Sequence, residues 1–107
     1  MEISQDQAVP IIEPKEMRVL KVSGKKITAI TKALKSKTRQ KILEILKQTQ
    51  LDVSRLAQEL GQTEANVSAQ IKNLEKVGLV KSRYEPGGHG VRKICETVVD
   101  KIIITLE

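Results

Sequence analysis

Apolar residues recur along this chain at two spacings, and the change between them falls near residue 79. From Lys25 to Val77 the period is helical. Ile27, Ile30 and Leu34 share one side of a helix predicted over Lys25–Leu34. Ile42, Leu43, Ile45 and Leu46 do the same over Lys37–Gln48, with Ser36 placed as its N-cap. Val53, Leu56, Ala57 and Leu60 fall at i, i+3, i+4 and i+7, which predicts a third helix capped by Asp52. Gly61 follows, where a chain leaving a helix needs left-handed backbone without a Cβ penalty. Thr63 can cap a fourth helix running from Glu64 to about Val77 and stopped by Gly78, with Val67, Ile71 and Leu74 inward. The small Ala57 lets the third and fourth helices cross closely, as a helix-turn-helix requires.

Beyond Gly78 the period drops to two. Leu79–Tyr84 and Val91–Thr97 flank the Gly-rich turn Pro86–Gly90 and predict a β-hairpin. Met17–Val22 is a short alternating run ended by Gly24, and Lys101–Leu106 is an apolar strand. That last strand needs a partner for its backbone groups, and Met17–Val22 is the candidate, within one chain or between two subunits. Residues 1–15 are polar, acidic and broken by Pro10 and Pro14, which predicts a loosely ordered arm. Residues 16–107 then form a single domain. The expected class is α+β: a winged helix-turn-helix of about four helices, a basic hairpin wing and short N- and C-terminal strands.

Charge sharpens this picture. The net charge of +6 is uneven: residues 1–24 carry about −1 and residues 25–107 carry +7. Lys25 to Lys47 holds eight Lys/Arg against Glu44 alone. A basic body points to a polyanion, with nucleic acid first and an anionic membrane second, against the plainer reading of a solvated basic surface. Tyr84 is the only aromatic residue. Single strands and unpaired RNA bases are usually gripped by stacking on aromatic rings, so a duplex read through its grooves and phosphates fits better. Cys95 is the only cysteine, which rules out an intramolecular disulfide framework. With no signal-peptide pattern and no spanning run, a cytoplasmic protein away from the membrane is expected.

The outward face of the fourth helix is Asn66, Ser68, Ala69, Gln70, Lys72 and Asn73. Such a face, short, amide-rich and sparsely charged, suits base edges in a major groove. Gln70 and Asn73 can each make bidentate contacts to adenine; the plainer reading is a solvated polar face. Thr63 and Ser68 are placed to touch phosphate or cap the helix. Lys37, Thr38 and Arg39 lie at a helix start, where backbone N–H groups add to phosphate binding; for Arg39 an internal structural contact is an equal alternative. Lys81, Arg83, Arg92 and Lys93 decorate the hairpin, whose expected work is to hold phosphates or enter the minor groove. His89 sits in its turn and is counted with the DNA-facing set, although an exposed loop histidine is the plainer reading. One His and one distant Cys fall short of the three or four ligands of a zinc site, so no metal is expected. Cys95 reads as a small buried side chain before a redox sensor. No acid–base pair and no phosphate-binding Gly loop is present, and neither an enzyme nor a cofactor is expected.

The stretches ALKSKTRQKILEIL and LDVSRLAQELGQTEANVSAQIKNLEKVGLV, followed by a basic Gly-rich hairpin, resemble the winged-helix regulators of the ArsR type. The resemblance rests on Ala33, Leu34, Thr38, Arg39, Ile42 and Leu43. It continues through Leu56, Ala57, Leu60, Val67, Ser68, Ile71, Leu74, Gly78, Leu79 and Val80. It covers roughly residues 27–97. It implies a dimer that represses transcription by occupying double-stranded DNA at an operator. Two departures stand out. The family's Cys-Val-Cys metal ligands are replaced by Asp52, Val53 and Ser54. Where the family has a terminal helix with His and Asp ligands, this chain has KIIITLE, so dimerisation must differ from the usual pairing of terminal helices. Two other functions compete: a sequence-tolerant chromatin-like DNA-binding protein, separable by competition with random DNA, and a winged-helix protein-interaction module with an acidic partner. The amide-rich helix face and long basic hairpin argue against the second.

Overall fold

Side-chain caps start three of the four helices among the described residues. In the computed structural model, which describes residues 17–107, Ser36 Oγ accepts from the Arg39 N–H at 3.2 Å and starts α2 (Lys37–Gln48). Asp52 Oδ1 accepts from the Arg55 N–H at 2.7 Å and starts α3 (Val53–Leu60). Thr63 Oγ1 accepts from the Asn66 N–H at 3.1 Å and starts α4 (Glu64–Lys76). Each oxygen satisfies a donor that the first helical turn leaves without a partner. The first helix, α1 (Lys26–Leu34), begins without such a bond. The arm expected over residues 1–15 lies outside the described residues.

Two glycines end α3 and α4 in the same way. Gly61 has φ 63° and Gly78 has φ 80°. The N–H of Gln62 reaches the carbonyl of Ala57 and that of Leu79 reaches the carbonyl of Leu74, both at 3.0 Å. This left-handed closure reverses the chain within a residue. After Gly61 it fixes the turn between α3 and α4. After Gly78 it drops Leu79 back onto Leu74, and both side chains are fully buried. The apolar stripes then meet in one core built on Ile42, Leu56, Val67, Ile71, Leu74, Leu79 and Cys95. Burying each large aliphatic side chain contributes roughly 1.5–3 kcal/mol. Ala57 is buried where α3 meets α4, as its size predicts.

The strands of the described residues form two sheets. β1 (Val19–Ser23) pairs with β5 (Lys101–Thr105) in parallel, from Val19 opposite Lys101 to Ser23 opposite Thr105. The terminal strands thus pair within one chain. Arg18 clamps them: its backbone N–H and Nε donate to Asp100 Oδ2 at 2.9 and 3.2 Å, its Nη2 to Asp100 Oδ1 at 3.1 Å, and its Nη1 to the Thr97 carbonyl at 3.2 Å. These bonds hold the Asp100 carboxyl at about 2, below its ordinary 3.8. The second sheet is antiparallel, in the order β2 (Leu51–Asp52), β4 (Gly90–Thr97), β3 (Val80–Gly87).

Three details differ from the sequence reading. The first strand is Val19–Ser23 rather than Met17–Val22. β2 was not expected: two residues show no alternation, and they become a strand only because β4 offers an open edge. The hairpin is longer than expected, because Gly87 pairs with Gly90 and the turn shrinks to Gly88–His89. Pro86 is accommodated inside β3 because β3 is an edge strand, where one missing ladder donor is tolerated.

Candidate nucleic-acid interface

Burial of Val67, Ile71 and Leu74 fixes the rotation of α4 about its axis, and the opposite side faces out. Ala65, Asn66, Ala69, Lys72 and Asn73 are exposed there, and Ser68 and Gln70 are half-buried. The start of α3, this side of α4 and the end of the hairpin enclose an open cleft of about 770 Å³. Ser68, Lys72, His89, Arg92 and Lys93 line it, which brings five of the sequence-predicted residues together. Ser54 Oγ donates to Glu64 Oε2 at 3.1 Å across the base of the turn and ties α3 to the start of α4.

A second group of predicted residues forms a chain of polar side chains along the α2 side of α4. Arg39 donates from Nε to the Ala33 carbonyl at 2.7 Å and from Nη2 to the Lys32 carbonyl at 3.0 Å. Its Nη1 donates to Gln70 Oε1 at 2.6 Å. Gln70 Nε2 donates to Asn66 Oδ1 at 3.3 Å, Asn66 Nδ2 donates to Gln62 Oε1, and Gln62 Nε2 donates to Thr38 Oγ1 at 3.2 Å. Three amides are therefore oriented head to tail between a guanidinium and a hydroxyl. Each keeps one lone pair and one N–H for another partner. Arg39 makes the internal contact that was the alternative to phosphate binding, joining the end of α1 to the middle of α4.

The hairpin's basic residues all have acidic neighbours. Arg83 lies 2.9 Å from Glu85 and 3.4 Å from Glu96, and Lys81 lies 3.9 Å from Glu96. Arg92 lies 3.3 Å from Asp52 and 3.8 Å from Glu85, and Lys93 lies 3.3 Å from Glu75. The hairpin is thus less positive locally than its Lys and Arg alone suggest. Lys81 and Arg83 do not line the cleft, and Lys37 and Thr38 lie in a separate depression beside Gln62. Arg55 and Tyr84 line the cleft and escaped the sequence reading. The position of Arg55, outward in the first turn of α3, was a usable signal. Tyr84 had none beyond being the lone aromatic.

Asp52 stands where the resemblance would place a metal-binding thiolate. One of its oxygens caps α3 and the other takes the Arg92 ion pair. Among the described residues no cluster of three or more His, Cys, Asp or Glu is arranged to hold a metal ion. Cys95 is buried and lies 3.5 Å from Ser82 Oγ. Burial pushes its thiol above its ordinary value. No described helix is long and apolar enough to cross a membrane.

A helix-turn-helix of this geometry followed by a β-hairpin defines the winged helix-turn-helix class. Residues 36–82 match the family model of the bacterial regulatory proteins of the arsR family. HlyU from Vibrio cholerae N16961 is 25% identical with a TM-score of 0.60, over 67% of this chain and 74% of that one. A fragment of Mb0332 from Mycobacterium bovis, described as a homodimeric winged helix-turn-helix DNA-binding domain of a possible ArsR-family transcriptional regulator, is 29% identical. Its TM-score is 0.60, over 67% of this chain and 63% of that one. NolR from Sinorhizobium fredii, at 20% identity and a TM-score of 0.62 over 70% of this chain and 71% of that one, adds support for the fold alone. A search of curated proteins found no match. Residues 36–82 are thus similar to the arsR family of bacterial regulatory proteins, and the fold is that of winged helix-turn-helix DNA-binding domains.

Proposed function

We propose that the protein is a homodimeric, sequence-specific repressor that lays α4 in the major groove of double-stranded DNA. The observation that carries this reading is the exposed side of α4. Ala65 and Ala69 allow close approach, while Asn66, Asn73 and the free lone pair and N–H of Gln70 offer hydrogen bonds to base edges. Lys72, Arg55 and the hairpin take flanking phosphates, and His89 at the hairpin tip lies beside them. Thr63, Ser68, Lys37 and Thr38 contribute positioning contacts at helix starts. Occupying an operator blocks transcription without any catalysis, cofactor or metal, and the protein works in the cytoplasm. The homodimeric state described for the Mb0332 fragment supports two half-sites.

Selection of bound duplexes from a random library tests this, followed by competition against scrambled DNA at one salt concentration. A specific regulator prefers its site by about a thousandfold or more. Binding with no preferred site would point to a sequence-tolerant chromatin-like protein. No duplex binding at low salt would leave the protein-interaction module.

A further inference from the structure

We infer that β5 is the dimer interface: two copies pair β5 against β5 in antiparallel fashion, centred on Ile104, to make a four-stranded sheet. This rests on the dimeric reading above and specifies how the two copies join.

Among the described residues the β1–β5 sheet has two strands, too few to be stable alone. It leaves apolar side chains in solvent: Ile103 is 37% exposed, Ile104 38% and Leu106 88%. The outer edge of β5 is also open among the described residues. The Lys101 N–H donates to the Arg18 carbonyl at 3.2 Å, so Lys101 turns its backbone groups toward β1. In a parallel ladder this alternates, and the groups of Ile102 and Ile104 point away from β1 as an unpaired row.

Two-fold symmetry requires a strand that pairs with its own copy in antiparallel fashion. A register centred on Ile104 sets Ile104 against itself, Ile102 against Leu106, and Ile103 against Thr105. It also sets Lys101 against Glu107, so opposite charges meet while the exposed apolar side chains are covered. A register centred on Ile103 instead leaves Leu106 beyond the pairing and Lys101 without an acid. β1 is the poorer edge, because pairing it along its full length sets Lys21 against its own copy, and like charges directly opposite destabilise a sheet.

The test is cross-linking of the full chain carrying Ile104→Cys, with Ile103→Cys and the unaltered protein as controls, under mild oxidation and non-reducing electrophoresis. Residues facing each other across an antiparallel pair have Cα atoms about 5.5 Å apart, within disulfide reach, whereas diagonal neighbours lie at about 7–8 Å. Ile104→Cys is therefore expected to cross-link at least about tenfold faster than Ile103→Cys. The buried Cys95 should leave the unaltered protein uncross-linked. Sedimentation of each reduced protein reports the dimer independently. A dimer in which Ile104→Cys fails to cross-link overturns the β5 interface and leaves the dimer standing. A monomer overturns both, and would assign the apolar strip to residues 1–16 or to a different partner. As a check that does not depend on cysteine, Lys101→Glu should weaken the dimer and Lys101→Glu with Glu107→Lys should restore it. No restoration would overturn the proposed register.

Discussion

Gln70→Ala separates the structural from the recognition role of the amide chain on α4. In the folded protein Gln70 Oε1 accepts a charge-assisted bond of 2.6 Å from Arg39, and Nε2 donates a long one of 3.3 Å to Asn66. A hydrogen bond to a charged group contributes about 1.5–3 kcal/mol. Gln70 is only half-buried, so solvent screening places its share near the lower bound. Arg39 keeps its two carbonyl partners at 2.7 and 3.0 Å, so it is not stranded. Alanine also returns a few tenths of a kcal/mol as the better helix former. The expected net destabilisation is about 1 kcal/mol, a fall in Tm of roughly 4–8 °C for a domain of this size. On DNA, a full bidentate base contact is worth about 1–3 kcal/mol. Gln70 already has one internal partner at each end of its amide, so its loss should sit near 1 kcal/mol per half-site, or about fivefold in affinity per half-site. The assay is thermal unfolding beside fluorescence anisotropy on the selected operator and a scrambled duplex at one salt concentration. A lower Tm with unchanged operator affinity would show that Gln70 only braces Arg39. Equal losses on both duplexes would show that it positions the backbone without reading bases.

Three further outcomes are expected. Lys72→Ala should lower affinity on every duplex and shallow the log–log salt slope by about 0.9 per protomer, whereas Arg83→Ala with Arg92→Ala should shallow it by less than about 1.8. Binding isotherms between 50 and 200 mM salt check this, and a wing slope change at or above the full value would refute local neutralisation of the hairpin. The Asp100 carboxyl is held at about 2 against an ordinary 3.8, so its contribution to stability is complete above about pH 4 and is lost as pH falls through 2. Unfolding followed from pH 5 to pH 2 should show that loss, and Asp100→Asn should flatten it; identical pH profiles would discount the Arg18 clamp. Gly61→Ala meets no atom within 4 Å but must hold φ 63°, so it should cost about 1–2 kcal/mol by chemical denaturation, and a neutral result would contradict the left-handed closure of α3.

The helix-turn-helix was legible because everything that builds it is local. Ser36, Asp52 and Thr63 cap helices through donors three residues ahead, and Gly61 and Gly78 close them within five residues. The apolar period alone turns Val67, Ile71 and Leu74 inward and leaves Asn66, Ala69 and Asn73 outside. Local rules do not reach the contacts that tune the site. Arg39 meets Gln70 across 31 residues, Arg92 meets Asp52 across 40, and Arg18 meets Asp100 across 82. Each is a long side chain whose partner depends on which elements pack together, and nothing in its neighbours along the chain encodes that choice. Glu85 and Glu96 on the hairpin's own strands pair with Arg83, Arg92 and Lys81, and Asp52 and Glu75 join them from other elements, which only packing brings close. β2 exists only because β4 has an edge to offer. The sequence by itself determined the helices, their caps and the class of protein. Tertiary packing decided which charges stand free, which amides are already oriented, and that the terminal strands pair within one chain.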